Sequence, residues 1–315
     1  MKALYSNDFH RLYDRIRNDL TTDYFGNEET ISMVSASAAL HMVARKRGHA
    51  TVSPRHLLVG PSSSGKTHIA MATAKVLGIP FGIISGAVTT AEGFKGTTIT
   101  DGLAGLAKAL SGKKRRQGLG GLLFVDEMDG FIRRQPGEGL YEAALYSLLP
   151  ILGGESVSTS CDTTRSPVEL KTNEILVLIA GVFPEICKSK WNSLSTAADA
   201  LVDYGFPVEL ISRISHISAL QPLKIQEAMQ AIEKQVNELG LLYGIKNPSV
   251  VLGHGFLRGL ANEVIKSKYG LRFCKGFLHK RFMELIGHGH TTGGKSRQYL
   301  SSKVIALPTS RRMRA

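Results

Sequence analysis

The sequence predicts an α/β fold: a parallel sheet with flanking helices, followed by a small all-α lid. Three observations carry this. Short apolar runs alternate with helical patterns up to about residue 220, the signature of β-α-β units, and after Gln221-Pro222-Leu223 the β signal stops. Gly60-Pro61-Ser62-Ser63-Ser64-Gly65-Lys66-Thr67 fits the phosphate-binding pattern G-x-x-x-x-G-K-[ST] between an expected strand and an expected helix. The apolar run 122–125 ends in Asp126-Glu127, as suits a central parallel strand whose C-terminal end opens on a ligand site.

Taken in order, Phe9, Leu12, Tyr13, Ile16 and Leu20 recur at helical spacing with Asp14, Arg15 and Arg17 on the other side, which predicts an amphipathic helix over 1–22. A turn at Gly26-Asn27 leads into a long helix that stops at a basic end and Gly48. Residues 56–59 predict a strand, 69–77 a helix and 80–84 a second buried strand. Residues 86–100 are a Gly- and Thr-rich loop holding Gly93-Phe94-Lys95-Gly96, and 103–110 are helical. A basic, Gly-rich connection precedes the acidic strand. A second glycine-bearing loop at 133–139 leads to one helix over 140–152. Residues 155–173 read as an irregular hairpin or loop, 174–180 as a buried strand, 193–202 as a helix and 214–220 as a short strand. Helices are expected over 224–239, 249–267 and 271–286, followed by a basic tail over 287–315. The expected domains are therefore the helix 1–22, a large α/β domain 23–220, a helical lid 221–286 and the tail.

The chain of 315 residues is 43% apolar and 21% charged, an ordinary globular profile long enough to bury a real core. Lys plus Arg outnumber Asp plus Glu by 39 to 26, for a net charge of +13. That excess favours acidic partners, nucleotides first and nucleic acid or acidic proteins second. The densest basic runs are Lys113-Lys114-Arg115-Arg116 and Arg311-Arg312-Met313-Arg314, and such runs are more often solvated than binding. Cys161, Cys187 and Cys274 make no C-x-x-C pair, so neither a disulfide framework nor a zinc signature is present. The N-terminus lacks the apolar core of a signal peptide, and no run approaches the ~18 apolar residues that span a bilayer. A reduced, cytoplasmic setting without a membrane partner is expected. His288 and His290 sit in a Gly/Thr-rich stretch that reads as a linker rather than a metal site.

The motif residues specify chemistry. The glycines of 60–67 let backbone N–H groups close around phosphate oxygens, and the helix that follows adds its positive end. Lys66 is placed to neutralise β- and γ-phosphates, Thr67 to hold Mg²⁺, and His68 follows on the same turn. Asp126 is placed to orient Mg²⁺ directly or through water, and Glu127 to polarise an attacking water. Together these residues predict a site for ATP and Mg²⁺.

The full motif order resembles the Clp/Hsl branch of the AAA+ ATPases, the ClpX-type unfoldases in particular, over about residues 24–286. Tyr24-Phe25-Gly26-Asn27-Glu28-Glu29 looks like the family segment that lines the adenine pocket, which implies nucleotide contacts for Phe25 and Gly26. Leu123 to Asp129 is similar to the family's acidic strand end, Gly137-Glu138-Gly139 to its second pore loop and 175–183 to its fourth strand. The segment 201–213 looks like the one that carries the arginine finger, which implies that Arg213 reaches the γ-phosphate of a neighbouring subunit in a homo-oligomeric, hexameric ring. Gly270-Leu271-Arg272 sits where the family has its sensor-2 motif, which implies that Arg272 touches the nucleotide of its own subunit. Gly93-Phe94-Lys95-Gly96 falls on the first pore loop, which implies that Phe94 grips a translocated chain.

Departures from the family pattern keep alternatives open. Lys95 replaces the usual aliphatic pore residue, and could favour an acidic protein or a nucleic-acid strand stacked on Phe94. The cysteine-rich zinc domain is absent, and no Ile-Gly-Phe-type docking loop lies between Ile186 and Val202, so a ClpP-type protease is not expected as a partner. Ala180-Gly181 stands where AAA+ proteins carry a polar sensor. The resemblance implies a ring ATPase that remodels a protein substrate, directly or through an adaptor. A nucleic-acid-associated ATPase and a nucleotide-switched scaffold with weak hydrolysis are the alternatives.

Overall fold

The computed structural model describes residues 2–49, 53–87, 99–111, 120–132, 140–159, 168–186, 191–267 and 269–291. Phe94, Lys95, the loop at 133–139, the basic runs, Cys161, Cys187 and residues 292–315 lie outside them. Two compact units divide the chain, one of Met1–Pro61 with Gly65–Gln221, the other of Ser62–Ser64 with Pro222–Ala315.

The first unit begins with α1 (Lys2–Asp23) and α2 (Glu28–Lys46), then β1 (His56–Val59), α3 (Lys66–Leu77), β2 (Phe81–Ser85), α4 (Ile99–Ser111) and β3 (Gly121–Asp126). It continues through α5 (Leu140–Tyr146), α6 (Leu148–Gly153), β4 (Ser156–Thr159), β5 (Val168–Lys171), β6 (Ile175–Gly181), α7 (Leu194–Asp203), α8 (Val208–Ile211) and β7 (His216–Ala219). Among the described residues the main sheet has five parallel strands in the order β2-β3-β6-β1-β7, and β4 and β5 form a separate antiparallel pair.

The central strands β3, β6 and β1 are buried on both faces, which is why they read as continuous apolar runs, while the edge strands β2 and β7 are partly exposed. All seven residues of β6 are buried. Strand alternation sends them to two different cores. Leu58, Leu122, Phe124, Leu176, Leu178 and Ala180 meet Ile16 and Leu20 of α1, Ile31 and Val34 of α2 and Ile69 of α3. Leu57, Val59, Leu123, Val125, Val177 and Ile179 meet Leu103 and Leu106 of α4, Leu148 and Ile151 of α6 and Leu201 of α7. Each such Leu, Ile or Phe stabilises the unit by about 1.5–3 kcal/mol relative to exposure. The amphipathic face of α1 is thus covered by its own unit.

Three expected elements differ. The helix expected over 140–152 is two, because Pro150 has no N–H to continue the ladder and is accepted only in the first turn of a new helix. The helix expected over 249–267 is also two, broken at Gly253, whose φ of 79° and ψ of 148° are non-helical. The final helix runs to Thr291 rather than stopping at Gly287, since glycine in a helix costs only about 1 kcal/mol.

The second unit packs α9 (Ile225–Leu242), α10 (Pro248–Leu252), α11 (His254–Lys266) and α12 (Leu271–Thr291). Its core is Ala228, Ile232, Val236, Leu257, Leu260, Ala261, Cys274, Leu278 and Phe282. Burial pushes the Cys274 thiol up to about 12. Among the described residues no helix is long and apolar enough to cross a membrane, and no group of three or more His, Cys, Asp or Glu could hold a metal ion.

Candidate functional site for nucleotide hydrolysis

In the first unit, β1 and β3 flank β6, so the loop after β1 and the acids after β3 emerge at the same edge of the sheet. Register places Val59 beside Gly181 and Val125 beside Ile179, and the Gly60 N–H donates to the Gly181 carbonyl at 3.2 Å. The phosphate-binding loop therefore starts level with the end of β6. Thr67, in the first turn of α3, donates its hydroxyl to Asp126 Oδ2 at 2.9 Å. A hydroxyl and a carboxylate oxygen at that distance are the hard oxygen donors Mg²⁺ takes beside its waters and phosphate ligands. The residues present fit the ion.

Lys66 is buried, with Nζ donating to the Gly60 carbonyl at 2.7 Å and the Pro61 carbonyl at 2.9 Å. Its ammonium is held inside the loop it serves, where phosphate oxygens can compete for it. Gly65 has φ 91°. A Cβ there would lie 2.4 Å from the Tyr24 ring, so both backbone geometry and packing demand glycine. Tyr24 is buried and stacks at 6.3 Å on His68, whose Nε2 is 3.0 Å from the Asp23 carbonyl. Phe25 and Gly26 follow, half-buried, with Gly26 at φ 80°. Of the loop serines, Ser64 is buried and Ser62 exposed, while Ser63 Oγ donates to the Tyr269 carbonyl at 2.8 Å inside the second unit.

Glu127 leaves β3 in the left-handed region at φ 52°. Its N–H donates to Asp126 Oδ1 at 2.9 Å, and its Oε2 accepts from Ser85 Oγ, at the end of β2, at 2.6 Å. That conformation turns the exposed carboxylate away from the strand direction while Asp126 keeps to Thr67. A carboxylate so displayed can take a proton from a water attacking the γ-phosphate. Bound Mg²⁺ supplies charge neutralisation at the phosphate oxygens. Asp129, buried, accepts from the Val182 N–H at 3.0 Å and ties the turn after β3 to the end of β6. Ala180 points into the core beneath α1, α2 and α3. At Gly181 a Cβ would meet the Phe183 ring at 2.2 Å, so the end of β6 has no room for a polar sensor side chain.

Arg213 follows α8, half-buried, with Nη1 donating to the Leu149 carbonyl of α6. The helix it rests on is fastened by Arg55, which sequence reading passed over. The Arg55 guanidinium is buried and donates to the carbonyls of Ile151, Leu152, Thr172 and Ile175. Desolvation lowers its pKa to about 10, so it remains cationic at neutral pH. Arg272 is exposed in the first turn of α12 in the second unit. Tyr24, Asn27, Ser85 and Arg55 were the contributors missed as such. Only Tyr24 and Asn27 carried a signal, as members of the 24–29 segment on either side of Phe25 and Gly26.

Residues 56–192 match the model of the "ATPase family associated with various cellular activities (AAA)". The chain is 25% identical over 301 residues to a curated ATP-dependent Clp protease ATP-binding subunit ClpX 2 of Wolinella succinogenes, covering 83% of this chain and 75% of that protein. It is 26% identical over 270 residues to the ClpX subunit of Porphyromonas gingivalis, covering 73% of this chain and 65% of that protein. It is 23% identical over 297 residues to the ClpX subunit of Treponema denticola, covering 81% and 70%. Thus the chain spans 65% to 75% of the length of these relatives. With the loop, the acidic strand end and the parallel sheet in one arrangement, residues 56–192 form an AAA ATPase domain that uses ATP with Mg²⁺, in a chain similar to ClpX subunits.

Proposed function

We propose that this ATPase works as a subunit of a cytoplasmic homo-oligomeric ring, hexameric as in the family, that couples ATP hydrolysis to the unfolding or remodelling of a protein substrate. The observation that carries the reading is the Thr67–Asp126 pair with Glu127 turned out beside it, in a chain similar to ClpX subunits over most of its length. Phe25 and Gly26 flank the adenine, Gly60 to His68 hold the phosphates, Thr67 and Asp126 hold Mg²⁺, and Glu127 activates water. Arg213 serves the neighbouring subunit's γ-phosphate and Arg272 its own. The side chains of Phe94 and Lys95 engage the substrate, supplied directly or by an adaptor. A ClpP-type protease is left out of this reading because no Ile-Gly-Phe-type loop stands between Ile186 and Val202.

The test is a Glu127→Gln trap: the variant retains substrate in the ATP-bound ring, and captured proteins are then offered to wild type and Phe94→Ala. Wild type should unfold a captured protein with stimulated ATPase, and Phe94→Ala should hydrolyse ATP without unfolding it. Stimulation by DNA or RNA instead, steeply weakened by salt, replaces the protein substrate with nucleic acid. Unfolding intact in Phe94→Ala removes the pore assignment.

A further inference from the structure

Asn27 stands at the N-cap of α2 with φ 50° and ψ 43°, yet its side chain makes no cap hydrogen bond. Asparagine at that position ordinarily accepts from the helix's own orphan N–H groups. Here the amide is spent elsewhere. Its Oδ1 accepts from the Gln221 N–H at 2.6 Å, and its Nδ2 donates to the Gln221 carbonyl at 3.2 Å. One side-chain amide thus pairs with both backbone groups of a residue 194 positions away. The same Nδ2 lies 3.3 Å from Tyr24 Oη.

Both ends of this contact are placed where nucleotide matters. Tyr24 lies against Gly65 so closely that a Cβ there would overlap its ring. Gln221 follows Leu220, whose N–H donates to the Val59 carbonyl at 2.7 Å, one residue before the phosphate-binding loop. It is also the last residue of the first unit, and Pro222, which has no N–H to pair, comes next. A continuous path therefore runs from Gly65 through the Tyr24 ring and the Asn27 amide to the backbone at which the chain leaves the ATPase unit.

We infer that Asn27 is a positioning residue that couples occupancy of the phosphate-binding loop to the chain exit at Gln221. It touches neither phosphate nor attacking water. Ordering of Gly65 and Tyr24 by bound nucleotide holds Asn27 in place, and Asn27 holds the Gln221 peptide. The inference rests on the ATPase reading.

The experiment compares wild type with Asn27→Gly, measuring steady-state ATP hydrolysis and amide hydrogen exchange with and without a non-hydrolysable ATP analogue plus Mg²⁺. Glycine accepts the left-handed backbone at 27, so only the side chain is removed. Wild type should show analogue-dependent protection of both residues 60–68 and residues 219–223. Asn27→Gly should keep protection at 60–68 and lose it at 219–223. Its KM for ATP should stay within about twofold while kcat falls about fivefold to tenfold, the scale of losing a pair of neutral hydrogen bonds. Tyr24→Phe, which deletes one oxygen, should weaken protection at 219–223 and keeps the test open if Asn27→Gly does not fold. Equal protection at 219–223 in wild type and variants overturns the coupling, as does a parallel change in KM with kcat intact. Absence of protection at 60–68 in wild type overturns the ATPase reading itself.

Discussion

Thr67 Oγ1 donates to Asp126 Oδ2 at 2.9 Å, joining the first turn of α3 to the end of β3 across the intervening strand β6. This pair presents a hydroxyl and a carboxylate to the same small volume. Thr67→Ser keeps the hydroxyl and should retain most ATPase activity. Thr67→Ala and Asp126→Asn should each lose at least about hundredfold, because metal stabilisation of the transition state is worth several kcal/mol. Phosphate release followed across a Mg²⁺ titration reads the effect. Full activity in Asp126→Asn at low Mg²⁺ would remove the carboxylate from the metal site.

Glu127 and Asp126 are adjacent but differently held: one is turned out at φ 52° toward Ser85, the other paired with Thr67. Removing a general base costs about 10²–10⁴-fold in rate. Glu127→Gln should therefore lower kcat by that order and leave ATP binding, measured by a fluorescent analogue, nearly unchanged. An unchanged rate would mean that another group activates the water.

The Arg213 guanidinium rests on the Leu149 carbonyl of its own subunit. If it serves a neighbour, Arg213→Ala should cost about 10³-fold, the lower range for an arginine finger. Mixing Arg213→Ala with Lys66→Ala subunits should restore part of the activity. In such a ring some intact phosphate sites sit beside intact arginines. No restoration in verified mixed rings would place the role of Arg213 inside its own subunit.

His56 is buried in β1, with Nε2 2.8 Å from Ser218 Oγ and the His216 ring 5.9 Å away. Burial, with His216 adding repulsion, pushes its pKa down to about 3. In the unfolded chain histidine binds a proton near pH 6.5. Below that value the unfolded state holds the extra proton and the folded state does not, so stability falls as pH drops from about 6.5 toward 3. His56→Leu should flatten that part of the curve in urea unfolding followed by circular dichroism. An equally steep decline in the variant would assign the effect to other groups.

Element types were largely legible because they are local. Apolar runs such as 122–125 and 175–180 are short and bounded by polar or glycine residues, which suits a strand buried on both faces, and 60–67 is recognisable from spacing alone. Where reading failed, the cause was also specific. The apolar period continues through Ser147 and Gly253, so periodicity could not see breaks set by Pro150 and by the backbone at Gly253. Arg55 was invisible because its partners are four backbone carbonyls, which carry no sequence signature.

Residue type and spacing alone determined that this chain carries a phosphate-binding pattern at Gly60 to Thr67 and two acids at the end of a buried strand. That information is local, written in steric allowance, charge and periodicity. Only the tertiary structure decided that Thr67 pairs with Asp126 and not Glu127, that Ser85 meets Glu127, and that Asn27 forgoes its own helix for Gln221. Those choices depend on strand order, on register and on one left-handed residue at each of two turns, which bring together groups that no sequence spacing relates.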